Sequence, residues 1–358
     1  MQARVCESIR LMPLVSAQEL RSLSQRIFVA AGVPPDVAQR VAESLVESNL
    51  LGHDSHGVIR VPSYLTMLGD GRIDPKAQPR VARETESTAL VDGGWQFGQV
   101  TARYAMELAV SKAARTGVAA VQLYQSGHIG RLGEYAHQAA EQGMVGLVCT
   151  NNHTSGQILA PFGGTARRLS PSPIAIAAPG GQDFPIVLDM TTSTTAEGKI
   201  RVRQARGQRL PEGWIIDAAG RPSTDPADFY GPPPGSLLPL GGELGYKGFG
   251  LAFMIDILSG AFGGSGCSQA NPPQLRGNGV FLQAIDPGAF GAKESFKREV
   301  AALAEYVKSS PVAPGFDRIR IPGETEHEAR QQRMQHGIEI EEDTWSKLRA
   351  AAAELGLK

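Results

Sequence analysis

The segment Gly52-His53-Asp54-Ser55-His56-Gly57-Val58-Ile59-Arg60-Val61-Pro62-Ser63-Tyr64 sets a proton-transfer group, a fixed cation and a phenol close together along the chain. Imidazole, with an ordinary pKa of about 6.5, exchanges a proton near neutrality. Guanidinium is a planar fork that matches a carboxylate. Together they suit a small acid whose neighbouring carbon is oxidised or reduced. In a helix, His56, Arg60 and Tyr64 recur every four residues and share one face. Pro62 argues for an alternative, because an internal proline removes a hydrogen bond; His56 then sits on the loop or first turn that leads in. Either geometry keeps His56 and Arg60 close. His53 and His56, with Asp54 between them, also admit a metal-dependent lyase or hydrolase, although spacing identifies no further ligand.

A second candidate is Ser126-Gly127-His128-Ile129-Gly130-Arg131, after an expected strand and before an expected helix. Backbone amides at a helix start favour an anion, and glycines let a ligand approach the main chain. A diphosphate or carboxylate docks there, or the glycines serve only the turn. Gly-x-Gly-x-x-Gly is absent, as is Gly-x-x-x-x-Gly-Lys-Ser/Thr, which counts against a Rossmann dehydrogenase and a P-loop enzyme. His137 and His153 lack comparable context, and His327 and His336 fall in a charged helix suited to solvated roles.

The elements that must hold these residues are legible in part. Ser16-Ala-Gln-Glu19 has capping-box spacing, and Leu20, Leu23 and Ile27 follow at helical intervals until Gly32 and Pro34. A second helix over about 36–51, with Val37, Val41 and Leu45 as its apolar stripe, ends at Gly52, just before the His/Arg segment. From residue 88 the pattern alternates. Strands are expected at 88–91, 118–123, 144–150, 173–178 and 185–190, with helices at 100–115 and 132–142. The Gly/Pro-rich stretch 207–245 reads as irregular. A buried helix over 248–262, a strand at 280–285, a helix at 293–308, a strand at 318–321 and helices from 326 and 343 complete the series.

At 358 residues the chain exceeds the roughly 250 to 300 at which one core stops growing, so more than one substructure is expected. The division predicted is 1–87, an N-terminal helical segment with the His/Arg motif; 88–286, an α/β domain; and 287–358, a helical segment packing with the first. Hydrophobic residues at 42% and charged residues at 20% describe a globular protein, and a net charge of −1 offers no case for nucleic acid or an anionic membrane. Cys6, Cys149 and Cys267 form no Cys-x-x-Cys pair and suit a reducing compartment; Cys149 reads as a small buried hydrophobe and Cys267 as inert. The N-terminus carries charge where a signal peptide needs an apolar core, residues 1–11 read as an extension, and a cytoplasmic location is expected.

Taken together, His53-Asp-Ser-His-Gly57 with Arg60 and Tyr64, Gly127-His-Ile-Gly-Arg131, Ala160-Pro-Phe-Gly-Gly164, Leu188-Asp-Met-Thr-Thr-Ser193, Gly245-Tyr-Lys-Gly248 and Ile321-Pro-Gly-Glu324 occur in order. With these motifs the chain, from about residue 16 onward, resembles the malate/L-lactate dehydrogenase family. The resemblance implies an α/β fold with a mixed central sheet, a nicotinamide-binding domain that is not a Rossmann fold, and a helical domain built from both chain ends. It implies a homodimer, and NAD or NADP as cofactor, NAD being favoured. His56 would carry the proton and contact the cofactor, with His128 kept as the alternative carrier. Arg60 would clamp a substrate carboxylate, while Ser55 and Tyr64 orient the substrate or the imidazole. Cofactor contacts carried over are Gly130, Arg131 and Leu132; Val187, Leu188, Asp189, Met190 and Thr191; Lys247 and Asn278; and Gly323, Glu324, Thr325 and Glu326.

The activity implied is reversible hydride transfer at C2 of a small 2-oxo or 2-hydroxy acid, of lactate, malate or 2-hydroxyglutarate type. Reduction of a cyclic imino acid asks for the same groups. One departure stands out: where the family typically reads Gly-Thr-Asn-Pro, this chain has Ser170-Pro171-Ser172-Pro173. That change admits a binding protein that has lost turnover.

Overall fold

The computed structural model describes residues 12–152, 156–180, 183–271 and 277–357. Residues 1–11, Cys6 among them, and His153 lie outside the described residues. The chain divides into two compact units, one of residues 1–71 and 326–358 and one of residues 72–325. By this division 72–87 and 287–325 belong with the sheet.

In the first unit, β1 (Leu14–Val15) precedes α1 (Ala17–Ala30), which opens as its capping box predicts: Glu19 N donates to Ser16 Oγ at 3.1 Å. Leu20, Ile27 and Phe28 are its fully buried stripe. α2 (Pro35–Leu50) starts on a proline, tolerated because the first helical N–H has no partner inside the helix. Val37, Val41 and Leu45 face the core. Two single 3₁₀ turns, Asp54–His56 and Val58–Arg60, then lead into α3 (Val61–Gly69). Pro62 lies in the first turn of α3, so the His56 segment precedes the helix rather than belonging to it.

The second unit is built on a seven-stranded sheet. β2 (Arg80–Glu84) and β3 (Thr88–Asp92) form a hairpin; α4 (Gly98–Thr116), β4 (Val118–Ser126), α5 (Gly133–Glu141), β5 (Val145–Asn151), β6 (Ile174–Ala178) and β7 (Ile186–Met190) follow. α6 (Glu197–Ala205) leads to a small sheet of β8 (Ile215–Ile216), β9 (Pro222–Ser223) and β10 (Ser236–Leu237), with α7 (Pro226–Tyr230) between the last two. Then come α8 (Tyr246–Gly260), β11 (Asn278–Ile285) and α9 (Lys293–Lys308).

The large sheet has the order β2-β3-β4-β11-β5-β6-β7. β3 and β4 run parallel, and the other neighbours antiparallel. β11 is central, with Leu282 opposite Val121 on one side and Val148 on the other. Strand alternation divides its side chains. Val280, Leu282 and Ala284 join the buried cluster with Met106 and Ala109 of α4 and Ala136 and Ala139 of α5. Gly279 and Phe281 turn to the opposite face, against Ser259 and Phe262.

Two expectations need correction. The stretch 207–245 is not irregular throughout. It holds β8–β10 and α7, tied down by Arg167, whose Nε donates to Gly235 O at 2.7 Å and whose guanidinium lies 4.5 Å from the Phe229 ring centre. Local sequence carries no sign of that distant anchor. The strand expected at 318–321 does not form. Pro322 lacks an N–H, and the segment instead offers Pro322 O to Val187 N at 3.3 Å along the β7 edge.

The chain returns to the first unit through α10 (Glu324–His336), β12 (Ile338–Glu339) and α11 (Glu342–Glu354). β12 pairs antiparallel with β1, and Leu348 of α11 is fully buried. Among the described residues, no helix is long and apolar enough to cross a membrane.

Candidate functional site

The structure gathers the predicted site residues into two groups, one in each unit. The first is the His56 turn. Helix α2 ends at Leu50, and His53 N returns to Ser48 O at 2.9 Å. His56 N then donates to His53 O at 2.9 Å, closing the 3₁₀ turn. Ser55 Oγ lies 3.1 Å from His56 Nδ1, and Arg60 Nε donates to Ser55 O at 2.7 Å. Both His56 and Arg60 are half-buried, whereas Tyr64 is 2% exposed in α3. Ser55 O thereby takes up Arg60 Nε and ties the guanidinium to the turn.

Two residues missing from the sequence-based site shape this turn. Asn49, 3% exposed, donates Nδ2 to Asp54 Oδ1 at 2.7 Å and accepts from Val58 N at 2.9 Å. Arg333 of α10 makes a fork on Asp54, Nη1 to Oδ1 at 2.8 Å and Nη2 to Oδ2 at 3.0 Å. Only the Asn at the end of an apolar helix and the charges at 326, 330 and 333 hint at them in the sequence. Asp54 thus uses both oxygens inside the protein, and His53 Nε2 lies 3.5 Å from Glu326 Oε1. Among the described residues, no group of three or more His, Cys, Asp or Glu is placed to hold a metal ion, which leaves the metal reading of His53, Asp54 and His56 without geometric support.

The second group lies around β7. Ile129 N donates to Asn278 Oδ1 at 3.2 Å, which fixes the 127–132 loop to β11. His128 in that loop is half-buried, and Gly130 has φ +73. Arg131 is 6% exposed, with Nη1 3.8 Å from Asp189 Oδ2; the same oxygen accepts from Gly133 N at 2.7 Å. The anion at the start of α5 is therefore the chain's own Asp189. An external diphosphate would not meet that amide.

Val187 N bonds outward to Pro322 O, and antiparallel alternation puts the backbone N–H and C=O of Asp189 on the same outer edge. Gly323, at φ +92, sits where a Cβ would come 3.0 Å from Pro185 O. At the other end of β7, Leu240 N donates to Thr192 O at 2.9 Å and Leu240 O accepts from Gly248 N at 3.2 Å. That pair of bonds brings Thr191 and Lys247, an exposed residue in the first turn of α8, into one neighbourhood. Glu324 is claimed by the protein: Lys308 Nζ reaches Oε1 at 2.7 Å and Ile321 N reaches Oε2 at 3.1 Å. Burial pushes its carboxyl up, but these donors and Arg318 outweigh burial and hold it below the usual value. Thr325 is exposed, and Glu326 belongs to the first group.

The serines that depart from the family pattern satisfy one another. Ser170 Oγ and Ser172 Oγ lie 2.8 Å apart, both hydroxyls are buried, and Asn152 N donates to Ser170 Oγ at 3.2 Å. Cys149 is fully buried and its thiol is pushed up to about 11; burial also raises Cys267, aided by the nearby Asp256. Neither is a thiolate near neutrality.

Comparison with known proteins gives the family. The family model described as malate/L-lactate dehydrogenase matches residues 15–349. L-sulfolactate dehydrogenase of Methanocaldococcus jannaschii is 39% identical over 331 residues, 91% of this chain and 92% of that protein. The solved structure of malate dehydrogenase from Pyrococcus horikoshii superposes with a TM-score of 0.88 at 35% identity, over 97% of each chain. Delta1-piperideine-2-carboxylate reductase from Pseudomonas syringae gives a TM-score of 0.83 at 31% identity, over 95% of this chain and 100% of that one. The protein is an oxidoreductase, a dehydrogenase of hydroxy acids. It belongs to the malate/L-lactate dehydrogenase family, and that membership implies a nicotinamide cofactor.

The residues around β7 suit such a cofactor. A nicotinamide dinucleotide asks for amide-pairing backbone, an apolar surface for its rings and a cation or hydroxyls for its diphosphate and sugars. The outer edge of β7 would offer the first, Leu188 at 37% exposed the second and Lys247 the third. Among the described residues, Thr192 Oγ1 and Thr195 Oγ1 near the same strand end are buried without a protein partner.

Proposed function

We propose that this chain catalyses reversible hydride transfer at C2 of a small 2-oxo or 2-hydroxy acid. The observation that carries this is the Ser55–His56–Arg60 arrangement, in which Ser55 meets the imidazole through its hydroxyl and the guanidinium Nε through its carbonyl. The nicotinamide, when bound, supplies or accepts the hydride. Arg60 binds the substrate carboxylate through its terminal nitrogens and fixes which face of the carbonyl is presented; such orientation contributes up to ~7 to 11 kcal/mol in favourable cases. His56 donates a proton to the carbonyl oxygen during reduction and removes it during oxidation, with Ser55 Oγ orienting the ring through Nδ1. His128 is retained as the alternative carrier, and Tyr64, with Ser55, as a group that orients the substrate or the imidazole. Cofactor binding is assigned to the unit of residues 72–325, in a non-Rossmann mode, through Gly130 and Leu132, the β7 edge, Lys247, Asn278 and Gly323. Arg131, Asp189 and Glu324 act there by holding backbone in place, and NAD is preferred to NADP. A helical domain formed by both chain ends carries the His56 turn.

The likeness to a piperideine-carboxylate reductase favours a second reading, reduction of a cyclic C=N bond beside a carboxylate, which needs the same clamp and proton. The exposed apolar residues Tyr246, Phe253 and Met254 of α8, each about half exposed, support a homodimer.

The test is a panel of 2-oxo acids and cyclic imines assayed with NADH and NADPH, with and without chelator. Consumption of reduced cofactor that ignores chelator is expected. In His56→Asn, turnover should fall by about 10² or more, while Arg60→Lys mainly raises the substrate KM. Wild-type kinetics in both variants would remove this assignment, and cofactor binding without turnover on any substrate would favour the lapsed binding protein.

A further inference from the structure

Asp54 opens the turn that bears Ser55 and His56, and two elements, α2 and α10, converge on it. Arg333 reaches it with both terminal nitrogens, and Arg333 Nη1 also donates to Asn49 O. Asn49 joins the two ends of the turn, its Nδ2 on Asp54 and its Oδ1 on Val58 N. Gly57 lies directly against that amide, where any Cβ would collide with it. The same face of α10 makes two more contacts at helical spacing: Glu326 with His53, and Arg330 Nε with Glu47 Oε1 at 2.7 Å.

We propose that Arg333, Asp54 and Asn49 form a positioning clamp that sets the His56 imidazole and, through Ser55 O, the Arg60 fork. The proposal rests on reading His56 as the proton carrier. Stability is a poor explanation of the arrangement. Asp54 is about half exposed (49%) and Arg333 a quarter (26%), and ion pairs that meet water contribute little. Geometry explains it better. Arg60 and His56 both hang on the short stretch between Asp54 and Val58, and a misplacement of about 1 Å at a reacting group can cost about 10²-fold in rate. Lysine cannot replace the arginine, because a point charge does not reproduce a fork bonded to two carboxylate oxygens and a carbonyl.

The full-length enzyme is assayed with pyruvate and oxaloacetate plus NADH. Arg333→Met should lower kcat by about tenfold to a hundredfold, with thermal midpoint and NADH affinity unchanged. Arg333→Lys should recover little, and millimolar guanidinium should restore part of the Arg333→Met loss. Asp54→Asn should behave like Arg333→Met, and the double variant should lose no more than either single one. Wild-type kcat in Arg333→Met, or a loss that tracks a falling thermal midpoint, overturns the clamp. Should Arg333→Met not fold, Arg333→Lys and Asp54→Asn decide the matter by the same criteria. His56→Asn, measured alongside, tests the underlying reading separately: full turnover there overturns that reading, whereas loss there with full turnover in the Arg333 variants overturns the clamp alone.

Discussion

Asp189 directs one oxygen at Gly133 N and lies beside the buried Arg131 guanidinium. Removing the carboxylate strands a buried cation and a helix-start amide, both already out of water. Asp189→Ala should therefore cost about 2 to 3 kcal/mol of unfolding free energy in urea, and Asp189→Asn, which keeps an acceptor for Gly133 N, about half of that. Equal stability in the alanine variant would show that the pair carries no structural weight. The strand expected at 185–190 forms as β7 and contains Asp189. Its partner 56 residues upstream left no local trace. Asn49 and Arg333 are illegible in the sequence for the same reason: their work is done through contacts across 5 and 279 residues, which only folding creates.

Among the elements, those fixed by local rules were legible and those fixed by distant partners were not. The Ser16 cap, the apolar stripe of α2 and the alternation from β3 to β5 follow from spacing and propensity alone. Pro62 pointed to a turn before a helix, and that is what forms. By contrast, 318–321 has strand-like composition but runs past β7 with Pro322 at the contact, and β8–β10 depend on Arg167 reaching from elsewhere. The edge of β7 supplies the prediction at this scale. Gly323 combines φ +92 with a Cβ position 3.0 Å from Pro185 O and 3.1 Å from Val187 N, so Gly323→Ala strains the backbone and pushes on the strand. A loss of about 1 to 2 kcal/mol is expected, together with severalfold weaker NADH binding, read by thermal melts and titration. Gly356→Ala, with φ +74 and open space around it, is the control for backbone strain alone. If both variants weaken NADH binding equally, the β7 edge is not where the cofactor lies.

At the scale of the whole molecule, acid is the revealing stress. Glu84, Asp217, Asp286, Asp317 and Glu324 all have carboxyls held below their ordinary values, and all lie within residues 72–325. The pairing of Lys112 with Glu84, of Lys293 with Asp286 and of Arg320 with Asp317 is the leading cause in those three; Asp217 is held first by the Arg221 N–H. A depressed folded value means the native state binds these protons less readily than the unfolded chain. The stabilisation is therefore complete above the unfolded carboxylate range, about 4, and is lost as pH falls through the lower folded values. Asp317, brought down to about 2, is two-thirds exposed and contributes little, since water and salt screen its pair. Glu324 differs, being buried and bonded through both oxygens. Glu324→Gln, which keeps an acceptor for Ile321 N, should be less stable than the parent at neutral pH, and the difference should shrink as pH falls below the ordinary carboxylate range. Urea unfolding at a series of pH values from neutral into acid reads this directly. A gap that stays constant with pH would mean the carboxylate charge at Glu324 does nothing for the sheet unit, and that Lys308 rests there only by proximity.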